Sequence, residues 1–242
     1  MRPLTDQCPK PLLSVRGQPL MQWTMQSLQR GGVTHLLINT AWLGEKISQQ
    51  LGCVSQQPGC PDMQLQYSHE GADFGGALET AGGIVRVLPR LDHVFWVAAG
   101  DVFAPDFVFA AEAVARFKAS SYLAHLWLVP NPLHNPGGDF ALSDDGLALN
   151  TSAATAHAQA LPRYTFSTIA LYKRAFFEAP WCGIPSGNPK GEKALLAPML
   201  RQAMDNFAVS AELYRGAWTD VGTPQRLDEL NQTGACVVQA PI

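Results

Sequence analysis

The sequence predicts an α/β protein of three layers, with a mostly parallel central sheet between helices. Two observations predict it. Between residues 20 and 129, segments with helical spacing of apolar residues alternate with short apolar runs of strand length, the pattern of consecutive strand-helix units. Several of those runs, Leu36-Leu37-Ile38 and Val94-Phe95-Trp96-Val97-Ala98-Ala99 among them, are apolar without a break, as strands covered on both faces are. Sheets of this kind bind ligands beyond the carboxyl ends of their strands. Residues just after the strands are therefore the first candidates for chemistry.

Taken in order, Leu20–Arg30 reads as a helix stopped by Gly31-Gly32. Residues 33–39 read as a buried strand, and residues 42–51 as a helix with Trp42, Leu43, Ile47 and Leu51 on one stripe. Residues 53–62, rich in Gly, Pro and Gln, form a loop, and Met63, Leu65 and Tyr67 alternate as in a half-buried strand. A helix is expected over 77–88 despite Gly82-Gly83, a strand over 94–99, a helix over 107–118 and a strand over 122–129. From 131 to 163 Pro, Gly, Asn and Ala dominate and helical spacing fades, which predicts an irregular insert with short strands, a flap over the site. Strand returns at 166–172. A helix over 194–204, short strands over 209–214 and 217–220, and a helix over 224–231 with Pro224 at its start complete one domain spanning 1–242.

Composition excludes several classes. Hydrophobic residues make up 47% and charged residues 15%, which is globular rather than disordered. The net charge is −3 with no basic run, so no nucleic-acid groove is expected, and an anionic substrate needs a few local cations and backbone amides. No apolar run approaches a membrane span, and the N-terminus does not read as a signal peptide. The cysteines Cys8, Cys53, Cys60, Cys182 and Cys236 are odd in number and form no C-x-x-C pair. A reducing cytoplasm is the simplest reading, with a Cys53–Cys60 loop disulfide as the minor alternative.

Asp101 stands where the 94–99 run stops, in Gly100-Asp101-Val102. A carboxylate there can hold a divalent ion against phosphate, or simply cap the next helix. Asp220, in Trp218-Thr219-Asp220-Val221-Gly222, poses the same choice between ion binding and turn chemistry. Lys10 lies between Pro9 and Pro11, whose rings hold the backbone extended and present one cation at a fixed place. An exposed loop lysine is the bland alternative. Leu78-Glu79-Thr80-Ala81-Gly82-Gly83 sets small residues at a helix start, where backbone amides can approach a nucleobase or phosphate. His134 and His157 are expected in surface loops. No His or Cys pair has zinc spacing, and no G-x-S-x-G elbow supports acyl transfer.

These segments together resemble the sugar-1-phosphate nucleotidyltransferase family. The resemblance runs through Met1-Arg2-Pro3-Leu4-Thr5 with Pro9-Lys10-Pro11-Leu12, then residues 78–84 (LETAGGI), 98–103 (AAGDVF), 165–172 (TFSTIALY) and 218–227 (WTDVGTPQRL), nearly the whole chain in family order. Residues 39–44, 131–140 and 164–167 match the branch that transfers uridylyl groups to N-acetylmuramate 1-phosphate better than the hexose-1-phosphate branch, whose E-K-P motif has no counterpart here.

The resemblance implies a Rossmann-like, glycosyltransferase-A-like fold and the reaction of a nucleoside triphosphate with a sugar 1-phosphate to give an NDP-sugar and pyrophosphate. It implies Mg²⁺ on Asp101 and Asp220, phosphate contact by Lys10, and nucleotide along Thr80 and Gly82. It also implies a sugar pocket lined by Gly138, Thr165, Phe166 and Ser167, which Thr168, where relatives commonly carry Gly, would crowd. UTP is the implied nucleotide, with guanosine as runner-up, and mannose or glucose 1-phosphate is the alternative sugar. In the family a strand, a glycine-rich phosphate loop and an arginine precede the Met-x-Pro-Leu-Thr segment. The expectation is therefore a sheet lacking its first strand and a natural start upstream of Met1. A non-catalytic nucleotide- or sugar-phosphate-binding protein, or a decaying gene product, are the alternatives.

Overall fold

The computed structural model describes residues 1–150 and 161–232 of the chain. His157, Cys236 and part of the 131–163 insert lie outside the described residues.

The N-terminal stretch holds a short helix α1 (Leu4–Gln7), a single 3-10 turn (Lys10–Leu12) and a hairpin of β1 (Ser14–Val15) and β2 (Gln18–Pro19). The hairpin turns through Arg16 and Gly17, both at positive φ. Helix α2 (Leu20–Arg30) buries Leu20 together with Met21, Met25 and Leu28, the last three an i, i+4 and i+7 stripe. It ends where Gly32, at φ +86, lets the Val33 amide fold back onto the Leu28 carbonyl at 3.0 Å. A β-carbon on Gly31 would collide with the Phe109 carbonyl, so two elements meet there backbone to backbone.

β3 (His35–Thr40), α3 (Gly44–Leu51) and β4 (Gln64–His69) form a β-α-β unit whose strands pair in parallel. Helix α3 starts two residues later than the apolar spacing predicts. Leu43 sits at φ 50, outside the helix, and Trp42 is 62% exposed with its indole N–H donated to the Thr5 carbonyl. The α4 turn (Glu70–Phe74) then leads to α5 (Glu79–Val87), which continues as a 3-10 turn to Arg90.

β5 (Val94–Val97), β6 (Val102–Phe103), α6 (Ala111–Ala119) and β7 (Ala124–Val129) follow. Residues 107–110 are not helical. Phe107 and Phe109 pack edge-on against Trp96, and Phe107 also against Trp127, so the core claims the segment before the helix can begin. The insert supplies two short strands, β8 (Phe140–Leu142) and β9 (Ala148–Leu149). β10 (Arg163–Lys173), α7 (Leu196–Asp205), β11 (Val209–Leu213), β12 (Thr219–Asp220) and α8 (Pro224–Gln232) complete the described chain.

The main sheet is mixed. β11 pairs in parallel with β7, while β10 runs antiparallel to β7 on one edge and to β5 and β8 on the other. β10 shifts register between Phe166 and Ala170, and Thr168 within that irregularity has φ 65. Such a bulge re-aims side chains. Apolar residues of α5 and α7 cover one face of the sheet, and those of α2, α3 and α6 the other. A third cluster joins the β1–β2 hairpin, Phe103, Val221 and α8.

The sheet is broken where a first strand was expected to be missing. Among the described residues β5 pairs only with β10, and β3 only with β4. One edge of each is open, and a cleft of about 1480 Å³ is bordered by residues 34–41 and 94–100 together. Leu36, Leu37 and Ile38, an unbroken apolar run, are accordingly only half-buried. No described helix is long and apolar enough to cross a membrane.

Candidate active site

The site is built at the end of β5. Gly100 lets the Lys10–Leu12 turn pack close: a β-carbon there would stand 3.3 Å from Pro11. Lys10 opens a 3-10 turn rather than an extended segment. Pro9 is extended, but Pro11 has a φ suited to the turn, and the Leu13 amide closes it on the Lys10 carbonyl at 3.1 Å. The turn aims the Lys10 ammonium at Asp101, with Nζ 2.9 Å from Oδ2.

Asp101 and Asp220 are brought together by a two-residue ladder. β6 pairs antiparallel with β12, Asp220 opposite Val102, and the Val221 amide donates to the Asp101 carbonyl at 2.9 Å. Neither aspartate is a helix cap. α6 begins at Ala111 after Ala110, without a side-chain cap. Ahead of α8 it is Thr223 that receives the amides of Arg226 on its hydroxyl and Leu227 on its carbonyl. Asp220 instead accepts from Arg226 Nη1 at 2.5 Å, and His134 Nε2 stands 2.9 Å from the same Oδ1. Two carboxylates, each neutralised by a side-chain cation, offer the hard oxygen donors that Mg²⁺ takes alongside substrate phosphates. Among the described residues no group of three or more His, Cys, Asp or Glu forms a complete protein cage.

The cleft runs from the open strand edges to Pro11 and Gly100, the sequence neighbours of Lys10 and Asp101. Thr80, Gly100, Asp139, Phe166 and Thr168 line it. Thr80 thus borders the cleft. Gly82 does not: its amide and that of Ala81 donate to the Ala194 carbonyl, and a β-carbon would stand 2.5 Å from the Glu192 carbonyl. Its small size serves packing of the helix start against residues 192–194.

The expected sugar-pocket residues divide in the same way. Gly138, at φ 60, is wedged against Asn131 and Tyr164, where only glycine fits. Phe166 lines the cleft, and its amide donates to Asp139 Oδ2 at 2.8 Å. Thr165 is buried, its hydroxyl donating to Asn131 Oδ1 and accepting from Asn135 Nδ2. It fastens the 131–139 loop rather than presenting a hydroxyl to the cleft. Ser167 is fully buried, donating to the Trp127 carbonyl at 2.6 Å. It braces the irregularity in β10.

Sequence reasoning missed four residues. His134, which lies in an exposed loop as its sequence context suggested, and Arg226 both hold Asp220. Asp139 was visible only as part of a longer segment. Glu70 is 4% exposed and lines the cleft. Its Oε2 accepts the Leu78 amide at 2.8 Å, while Oε1 is buried without a partner, near Gly83 and Asn39. Burial pushes its carboxyl above the ordinary glutamate range, only partly opposed by the Leu78 amide and the Arg86 charge. A buried acid after a strand is a weak signal that topology alone makes specific.

A strand-end site with paired carboxylates and a lysine, on a three-layer α/β frame, defines a class of phosphate-handling transferase. The chain belongs to the nucleotidyl transferase family, whose model matches residues 1–137. It is 41% identical over 230 residues to N-acetylmuramate alpha-1-phosphate uridylyltransferase of Neisseria meningitidis, covering 95% of this chain and 90% of that protein. It is 26% identical to a UTP–glucose-1-phosphate uridylyltransferase of Synechocystis, over 92% of this chain and 57% of that one. In fold it is similar to a Bacillus anthracis chain described as a glucose-1-phosphate thymidylyltransferase, solved with sucrose. That match has a TM-score of 0.75 and 18% identity over 100% of this chain and 92% of that one. HddC from Yersinia pseudotuberculosis, complexed with GMP-PN, gives a TM-score of 0.65 and 13% identity, covering 93% and 90%.

Proposed function

We propose that the chain transfers a uridylyl group from UTP to N-acetylmuramate 1-phosphate, releasing pyrophosphate, as a step in reuse of cell-wall sugars in the cytoplasm. The observation that carries the reading is the assembly of Lys10, Asp101 and Asp220 beyond the end of β5, next to Pro11 and Gly100, which line a cleft of about 1480 Å³. The 41% identity to the Neisseria uridylyltransferase supports the choice of base and sugar. Four free cysteines among the described residues fit a reducing compartment.

The chemistry needs no covalent enzyme intermediate. An oxygen of the sugar phosphate attacks the α-phosphorus in line, the bond to the β-phosphate bridge oxygen breaks, and pyrophosphate leaves with that oxygen. Mg²⁺ on Asp101 and Asp220 would neutralise charge on the phosphates. Lys10 holds Asp101 in place and stands ready to turn to a phosphate oxygen. Phe166, Asp139 and Thr168 shape the sugar side of the cleft, with Asp139 supplied by the 131–139 loop. Holding both reactants in line is worth roughly 7–11 kcal/mol in favourable cases, which is why the frame matters more than any single acid or base.

The test is pyrophosphate release with UTP or GTP against N-acetylmuramate, glucose and mannose 1-phosphates. The UTP and N-acetylmuramate pair is expected to have the highest kcat/KM. Faster turnover with a hexose phosphate would reassign the sugar. One observation favours a second reading, a binding protein without turnover: the edges of β3 and β5 that border the cleft are unpaired among the described residues. UTP binding with no pyrophosphate from any pair would establish that reading.

A further inference from the structure

Asp220 is held from two directions. Arg226, four-fifths buried, reaches back from α8 and places Nη1 2.5 Å from Asp220 Oδ1. His134, from the 131–139 loop, places Nε2 2.9 Å from the same oxygen and 2.8 Å from Arg226 Nη1. The arrangement depends on Gly222. A β-carbon there would collide with Arg226 Nη2 and stand 3.2 Å from Asp220 Oδ2, so glycine alone leaves room for the guanidinium to fold over the turn. The 131–139 loop that carries His134 also carries Asn131 and Asn135, which hold Thr165, and Asp139, which holds the Phe166 amide. One cluster thus ties the ion-binding carboxylate to the wall of the sugar side.

We propose that Arg226 is the exchangeable counter-ion of Asp220 and, through His134, the latch of the 131–139 loop. Resting on the nucleotidyl-transfer reading, the exchange runs as follows. A divalent cation binding at Asp220 would compete with the guanidinium, because both draw on the charge of one carboxylate. His134 loses its place beside Asp220 Oδ1, and the loop is released to admit or let go of the sugar phosphate. Arg226 is a positioning residue in this scheme, acting on the cation and the loop rather than on the reacting atoms.

The test is Mn²⁺ binding to the full chain without nucleotide, followed by electron paramagnetic resonance. Arg226→Gln removes the competing charge. Gly222→Ala keeps the charge but pushes it off Asp220. Both variants are expected to bind Mn²⁺ about threefold to fivefold more tightly than wild type, the scale of a part-exposed ion pair. Adding Asp220→Asn to Arg226→Gln is expected to erase the gain. Unchanged or weaker binding in both variants, or no Mn²⁺ binding by any form, would overturn the proposal. Amide exchange supplies a second readout. In wild type the 131–139 amides are expected to exchange faster once Mg²⁺ is added, whereas in Arg226→Gln they are fast throughout. Exchange unaffected by Mg²⁺ and equal in both proteins would sink the latch. If wild type shows the Mn²⁺ behaviour yet releases no pyrophosphate, it is the nucleotidyl-transfer reading that fails.

Discussion

Lys10 Nζ stands 2.9 Å from Asp101 Oδ2, joining residues 91 positions apart beyond the end of β5. Each side chain is about one-third exposed (33% and 36%), so the pair contributes little to stability, up to about 1 kcal/mol. Its position matters through chemistry. Lys10→Met is expected to lower kcat/KM for pyrophosphate release by roughly 10²- to 10³-fold, the range for loss of one preorganised charge donor. Tm should move by only a few degrees. A large loss of Tm with near-normal activity would make the pair structural.

Asp101→Asn should abolish pyrophosphate release while far-UV circular dichroism and the melting transition stay near wild type. The carboxylate is part-exposed and its carbonyl, not its side chain, carries the ladder to Val221. Normal turnover by this variant would remove Asp101 from the ion site.

Glu70 gives a pH prediction. Its folded-state pKa is raised, chiefly by burial. The protonated carboxyl is therefore favoured by folding: the stabilisation is complete below the ordinary glutamate range and lost as pH rises through the folded value. Glu70→Gln keeps an acceptor for the Leu78 amide and never ionises. It should gain about 1 kcal/mol over wild type at mildly alkaline pH and nothing in acid. Tm measured against pH checks this. A variant less stable at every pH would mean that the carboxylate is held by more than the Leu78 amide and Arg86.

The elements that the sequence made legible are those whose signals are local. Helix α2 carries its apolar stripe and its glycine stop within thirteen residues, from Leu20 to Gly32. Trp42 was misplaced because periodicity counts apolar residues and does not see that Leu43 leaves the helical region. Phe107 and Phe109 looked helical for the same reason, and their rings answer to Trp96 instead. In the site, Lys10, Asp101 and Asp220 sit in recognisable motifs. Thr165 and Ser167 sat in a motif too, yet their hydroxyls are taken by neighbours 34 and 40 residues away. Arg226 and His134 meet across 92 positions, a pairing that only the fold creates.

Thr168 has φ 65, a region that costs a β-branched residue on the order of 1–3 kcal/mol. Its hydroxyl returns only a bond to the neighbouring Ser167 carbonyl. Thr168→Gly should stabilise the protein by about 1 kcal/mol after the greater entropy of the unfolded glycine chain is counted. It should also widen the sugar side of the cleft, which Thr168 lines, and lower KM for bulky sugar phosphates. A fall in Tm would show that packing of the Thr168 methyl outweighs its backbone strain.

The open edges of β3 and β5 make the last prediction. Along a strand successive backbone amides point to alternate sides, whether the neighbour runs parallel, as β4 does beside β3, or antiparallel, as β10 does beside β5. Among the described residues β3 bonds on one side only, to β4, and β5 on one side only, to β10. Alternate amides within His35–Thr40 and Val94–Val97 should therefore exchange with solvent orders of magnitude faster than those of β10, which is paired on both edges. Residue-resolved hydrogen exchange at low concentration checks this. Unpaired edges are also templates for other strands, so raising the protein concentration should protect those same amides first, with a rise in apparent size by light scattering. Uniform protection of both strands in the dilute monomer would mean that the edges are already covered, and the cleft between them would then be a filled part of the sheet.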